Sequence, residues 1–356
     1  MRGSKFYILG GEHVMKKKLP VLIGLVALAV SLLMAAGCSD QQQSAGKDGK
    51  AAVKTLKIGM VTNKDRSLSK GTVKFGELVE KHTNGSIKVE VFTDGVLGGD
   101  RQVIEALQMG TVQATAVSTG VVAAFAPRFD AFDLPFLFKD KPTAYKVFDG
   151  PIGKEVLQDL PAAKLVGLAY WENGFRHLTN NKRDVKTAAD IAGLKIRTLE
   201  SKVHVEGWKT LGANPTPMSF SQLYSGLEQH VIDGQENPYG NVVASKFYEV
   251  QKYLTNTAHV YNANVFMVSK VFWDTLSDSE KQAVEKAAEE AKVYQRQLNE
   301  QEDQDSVAYL KTKGMTISDL NPGEREKMVE MMQPLYKSVS ASLGGDLVER
   351  LLQAAK

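Results

Sequence analysis

Thr55-Leu-Lys-Ile-Gly-Met-Val61, Leu68 to His82, Ser86-Ile-Lys-Val-Glu-Val-Phe92, Gly98-Gly-Asp100 to Gly110, and Val112 to Val117 follow one another in that order. The first and third segments alternate polar and apolar residues, as a half-buried strand must. In the second, Val73, Phe75, Leu78 and Val79 recur at helical spacing. In the fourth, Asp100 is the expected N-cap, Val103, Ile104 and Leu107 form the buried stripe, and Gly110 is the stop. Val112–Val117 is a third strand. A β-α-β-α-β succession predicts an α/β fold with an open sheet that receives ligands at the C-terminal ends of its strands.

Outward from this core, Asp133-Leu-Pro-Phe-Leu-Phe138 is apolar and interrupted by Pro135, and a helix is expected over 141–160. Lys164-Leu-Val-Gly-Leu-Ala-Tyr-Trp171 reads as a buried strand, closed by the turn-like Glu172-Asn173-Gly174, which also makes a lobe boundary. Arg176–Thr179 and Leu194–Arg197 are then short strands of a second lobe, with helices over Ser201–Leu211 and Ser219–Val231. Val265–Val268 is a strand returning to the first lobe. Ser277-Asp-Ser-Glu280 is a capping box opening a helix that reaches Lys313, with a small-residue face at Ala283, Ala287, Ala288 and Ala291. At ~1.5 Å per residue such a helix is about 50 Å long, enough to span both lobes.

The 356 residues are 43% hydrophobic and 24% charged, ordinary for a globular chain with two core-bearing lobes. The net charge of +3 is concentrated at one end. Outside residues 1–37 the chain holds 39 basic and 40 acidic residues, a net charge of −1. Nucleic-acid binding needs a basic field, so no nucleic-acid partner is expected. Lys16-Lys17-Lys18 before an uncharged run, ending Ala35-Ala36-Gly37-Cys38, has the layout of a secretory signal. Its end looks like a bacterial lipobox, apart from Ala35 where leucine is usual. The single cysteine of the chain, Cys38, then carries lipid, and Gln41–Lys50 is a flexible tether. A lone transmembrane anchor is the competing reading of the apolar run. Met15 is the expected start of translation, because Gly10-Gly11-Glu12 can encode a ribosome-binding site. Peptides from residues 1–14 detected in cells would refute that.

The chemistry gathers in Gly174-Phe-Arg-His-Leu-Thr-Asn180, Gly193-Leu-Lys-Ile-Arg197 and Asp233-Gly-Gln-Glu-Asn-Pro238. Arginine suits a carboxylate clamp because its planar fork makes two parallel bonds and keeps its charge. The plain alternatives are a surface strand arginine at Arg197, an ion pair with an acid such as Glu172 at Arg176, a turn-forming Asn237, and core aromatics at Phe220 and Trp171. Glu236 reads as a loop or hinge anchor. His177, His204, His230 and His259 lack zinc-site spacing, so no metal is expected. With no phosphate-cradling loop and no nucleophile elbow, neither a cofactor nor catalytic residues are expected.

These segments, with Ile104-Glu-Ala-Leu-Gln-Met-Gly110, Asp133-Leu-Pro135, Gly212-Ala-Asn-Pro-Thr-Pro-Met218 and Tyr248-Glu-Val-Gln-Lys-Tyr253, resemble the solute-binding proteins of TRAP transporters, the dicarboxylate-binding (DctP-type) family. The resemblance covers about residues 55–350. It implies a two-lobe periplasmic-binding-protein fold, a Venus flytrap braced by a long helix. The expected division is 15–37 signal peptide, 38–54 tether, 55–173 plus 263–302 lobe I, and 174–262 plus 303–356 lobe II. It further implies that Arg197 pairs with the ligand carboxylate, that Arg176, Asn237 and Phe220 face the ligand, and that the ligand passes to a sodium-coupled permease. Trp171 is added as a cleft contact. Val61 and Val117 stand where sialic-acid binders of the family carry asparagine and glutamate, which argues against sialic acid. The expectation is a monomeric, lipid-anchored receptor outside the cytoplasmic membrane for a C4-dicarboxylate, a 2-oxo acid or a sugar acid. The rival readings are a ligand-sensing lipoprotein serving a signalling receptor and, less favoured, an exported hydrolase or lyase.

Overall fold

A computed structural model describes residues 53–356. The expected signal segment 15–37, Cys38 and most of the tether lie outside the described residues. Nine strands form one mixed sheet: β1 Lys54–Gly59, β2 Ile87–Phe92, β3 Ala114–Ser118, β4 Leu165–Asn180, β5 Lys195–Thr198, β6 Asn214–Pro217, β7 Gly234–Asn237, β8 Tyr253–Ser269 and β9 Thr316–Asp319. Their order is β2-β1-β3-β8-β4-β7-β5-β6, with β9 alongside β8. β1 runs parallel to both β2 and β3, as the crossover helices Ser67–His82 and Asp100–Met109 require.

The long strands β4 and β8 differ most from expectation. They pair antiparallel from Leu165↔Ser269 to Asn180↔Tyr253 and pass through both halves of the sheet. Glu172-Asn173-Gly174 is therefore no turn. The register shifts there, and Gly174 takes φ 120°. Residues that favour turns also favour bulges, because both need unusual backbone angles, and a bulge bends a strand without ending it. On one side of the bulge β4 and β8 join β3. On the other they join β7 and β9.

Smaller corrections share a local cause. Asp100 is the first helical residue rather than the cap; the Gly99 N–H donates to Gln102 Oε1 at 2.9 Å, and Gly110 ends the helix in the left-handed conformation. The helix expected over 141–160 divides into Lys141–Phe148 and Pro151–Leu157, since Pro151 cannot continue the first ladder. The helix expected over Ser219–Val231 shrinks to a 3₁₀ turn at Phe220–Gln222 and a short helix at Leu223–Glu228. Val73, one of the apolar residues at helical spacing, is 48% exposed.

The long helix is Asp278–Thr312, capped by Ser277 and Glu280. Its alanine face packs with Leu56, Ile58 and Phe266 in the β1 half, while Leu310 near its other end packs with Leu223, Phe247 and Leu254 in the β7 half. Small residues let it approach closely: a Cβ on Gly71 of the first helix would stand 2.7 Å from Gln295 Cβ. One rigid rod thus belongs to two cores. The C-terminal helices Gln333–Leu343 and Leu347–Ala354 cover residues 127–133.

Candidate functional site

Between the halves of the sheet lies a cleft at the C-terminal ends of β1, β3, β5 and β7. Val61, Thr62, Asp100 and Ser118 line one wall, and Arg176, Leu199, Phe220, Asn237 and Asn241 the other, with Asn173 of β4 and Asn264 of β8 at its floor. The free volume is about 30 Å³, near the share of one water molecule. The halves stand closed: a Cβ on Gly99 would lie 2.6 Å from Ser219 Oγ across the gap. A groove of about 350 Å³ beside the long helix is roomier but presents Lys70 and Asp305 to water. It gathers no buried unpaired cation among the described residues.

Arg197 stands two residues before the cleft-lining Leu199, a spacing that puts both on one face of an extended chain. It is 1% exposed; its Nε donates to the Met218 carbonyl at 2.8 Å, and its Nη1 has no partner. Burial and the neighbouring Arg176 push its pKa down to about 10, so it stays charged at neutral pH. Asp100 and Arg197 feel each other's charge across the cleft. Burial, with Glu200 nearby, pushes the Asp100 carboxyl up to about 7 against the pull of Arg197.

Arg176 is fully buried and already matched. Its Nε donates to Glu236 Oε2, its Nη2 to Glu236 Oε1 at 2.9 Å, and its Nη1 to Asn262 Oδ1 at 3.4 Å. It lines the cleft, but its charge is satisfied by Glu236 rather than by Glu172, which faces Lys141 at 3.3 Å and Tyr145. Pairing of β4 with β7 sets Leu178 opposite Glu236 and brings Arg176 to that carboxylate beside a register irregularity between Arg176 and Leu178.

Behind this pair runs a buried polar chain. His259 Nε2 lies 3.0 Å from Glu236 Oε2; His204 lies 3.7 Å from Glu236 and 3.8 Å from Asp133. Burial opposes the charge on Glu236, yet Arg176 and both histidines hold its carboxyl well below the usual range. Burial likewise opposes the charge on His204, but Asp133 and Glu236 raise it to about 9. A histidine raised this way stabilises the fold fully below its ordinary pKa near 6.5 and loses that effect as pH rises through about 9. Unfolding free energy in urea is therefore expected to decline from pH 6.5 to 9, and His204→Gln to flatten the decline. Equal slopes in the two proteins would refute it.

The structure brings Arg197, Arg176, Asn237 and Phe220 together. Asn237 Oδ1 accepts from Asn241 Nδ2 at 2.8 Å, and Phe220 packs edge-on to Phe247. Trp171 is not brought there. It stacks on Phe266 with centroids 4.4 Å apart, on the inward face of β4, where its large apolar surface is better buried than beside a polar cleft. Val61 lines the cleft while Val117 turns into the core, so alternation along β3 presents Ser118 instead. Asp100, Ser118 and Asn264 carried no distinguishing local pattern. For Asp100 the position opening a helix beyond a strand end was the available signal. Of the histidines, His177 stacks on Tyr239 and is uncharged, burial pushing its pKa down to about 3. Among the described residues no group of three His, Cys, Asp or Glu is placed to hold a metal, and no helix is long and apolar enough to cross a membrane.

Residues 58–342 match the family described as bacterial extracellular solute-binding protein, family 7. A sugar acid binding protein of Advenella mimigardefordensis, solved with galactonate, is 41% identical, with a TM-score of 0.84 over 85% of this chain and 98% of that one. A TRAP solute-binding protein of Sulfurospirillum deleyianum, solved with succinate, is 34% identical, with a TM-score of 0.81 over 86% and 100%. A C4-dicarboxylate-binding periplasmic protein of Rhodobacter capsulatus is 36% identical over 298 residues, 82% of this chain and 88% of that protein.

Proposed function

This chain belongs to the extracellular solute-binding protein family 7, the TRAP solute-binding proteins, and from that premise we propose that it is the receptor of an uptake system for a small organic acid. Its lobes, 55–173 plus 263–302 and 174–262 plus 303–356, close on the acid and hand it to a sodium-coupled permease. The receptor works as a monomer, held to the membrane by lipid on Cys38 once residues 15–37 are removed.

The supporting observation is the unpaired, buried Nη1 of Arg197 beside the closed cleft. A buried charge without a partner is costly, and a ligand carboxylate would relieve that cost only where the lobes meet. Differential affinity of this kind is what shifts a two-state protein toward closure. Relatives of the chain bind succinate or galactonate, so the family itself leaves the kind of acid open.

The test is a thermal-shift screen of the purified protein against organic acids, neutral sugars and amines. Ligand at ~100 times its dissociation constant adds about 2.7 kcal/mol of stability. Acids alone are expected to raise the melting temperature. A shift produced only by neutral or cationic solutes would refute the receptor reading.

A further inference from the structure

Resting on the organic-acid reading, the charges around the cleft separate two kinds of acid. A second carboxylate on one ligand is held best by a second available cation. Arg176 is fully buried and bound to both oxygens of Glu236. Arg66, the other buried arginine near the cleft, spends its donors on Asn241 at 2.6 Å, on Asn173 at 3.0 Å, on Asn299 and on Glu302. Among the described residues at the cleft, Arg197 is the one arginine with an unpaired buried nitrogen.

The rest of the cleft is built for hydroxyl groups. Asn264, 4% exposed, lines it with Nδ2 unpartnered. Asp100, on the same wall as Thr62 and Ser118, offers a carboxyl; the hydroxyls of Thr62 and Ser118 are already bonded, to Ser69 at 2.8 Å and to Asn262 at 2.9 Å. A buried amide donor left unpaired costs free energy that a ligand hydroxyl or ring oxygen would recover. A second ligand carboxylate would meet Asp100, with Glu200 close behind it, and like charges at a closed interface cost several kcal/mol. Burial raises the Asp100 carboxyl to about 7, so this repulsion acts in full only where the carboxyl is ionised, and dicarboxylate binding is weakened most above that pH.

We propose that the ligand is a hydroxylated monocarboxylate of the aldonic-acid type, with its carboxylate on Arg197 and its hydroxyls shared between Asp100 and Asn264, and that Asp100 excludes dicarboxylates. The cleft thus selects by charge first and by hydroxyl pattern second.

Calorimetry on the purified protein with D-erythronate and succinate, acids of equal carbon number, tests this directly, with D-gluconate and L-malate as the longer and the hydroxylated dicarboxylic controls. The aldonates are expected to bind at least ~100-fold tighter than either dicarboxylate. Asp100→Asn is expected to weaken the aldonates about tenfold and to strengthen succinate, collapsing the ratio. Succinate or malate binding as tightly as erythronate to the wild type overturns the proposal. An unchanged ratio in Asp100→Asn overturns the role of Asp100, and the wild-type ratio remains decisive if that variant does not fold. If no acid binds while a neutral or cationic solute does, the organic-acid reading itself falls.

Discussion

Arg197→Ala should weaken ligand binding by at least ~100-fold while leaving the ligand-free protein as stable as before, or slightly more so. Removing one partner of a buried ion pair costs about 3–5 kcal/mol, and each 1.4 kcal/mol is a factor of about ten in affinity. The usual complication, that such a loss also reflects damage to the fold, is separable here. In the free protein Arg197 makes one hydrogen bond, to the Met218 carbonyl, and its Nη1 is buried and unpaired. Alanine removes that unpaired charge, which offsets the packing lost with a large buried side chain. Affinity and melting temperature should therefore move independently. Arg197→Lys, which keeps the charge but loses the planar fork, should fall between. Calorimetry finding wild-type affinity in Arg197→Ala would remove this residue from the site.

Glu236→Ala should do the reverse, with stability as its first casualty. The carboxylate it removes faces Arg176 and both buried histidines, His204 and His259. Truncation leaves Arg176 fully buried without its counter-charge, a loss of about 3–5 kcal/mol, measurable as a lower urea midpoint with an unchanged slope. The pH signature fixes the sign. A carboxyl held well below its ordinary pKa near 4.5 contributes stability above that value and loses it only as pH falls through the depressed one. The gap between wild type and variant should hold through neutral pH and close only in strong acid. A variant with the wild-type midpoint at pH 7 would show that the pair is not needed for folding. Neither outcome bears on which ligand is bound, so the two substitutions separate the part of the cleft that holds the acid from the part that holds the arginine beside it.

Much of the fold was legible because its signals are local. Alternation announced β1 and β2, Gly110 the end of a helix, and Ser277 with Glu280 the start of the long one, within a residue or two of where they occur. The alanine face of that helix implied close packing, which Gly71 accommodates. Misreadings came where one local signal serves two structures. Glu172-Asn173-Gly174 suits a turn and a bulge equally, and only pairing with β8, some ninety residues on, chose the bulge. Trp171 fits a cleft wall or a core by type, and only the facing Phe266 assigned it to the core.

The site divides along the same line. The sequence by itself determined the fold class, the family, and the two arginines with their neighbouring asparagine, since residue type, order and spacing survive without coordinates. Only the tertiary structure decided which arginine is available. Arg176 and Glu236 are sixty positions apart and meet because β4 and β7 pair in one register, while Arg197 finds no carboxylate within hydrogen-bonding reach. Whether a charge is spent or unspent depends on what chain pairing brings within about 4 Å of it, since beyond that the attraction is weaker and no hydrogen bond forms. No local pattern in the chain encodes that distance.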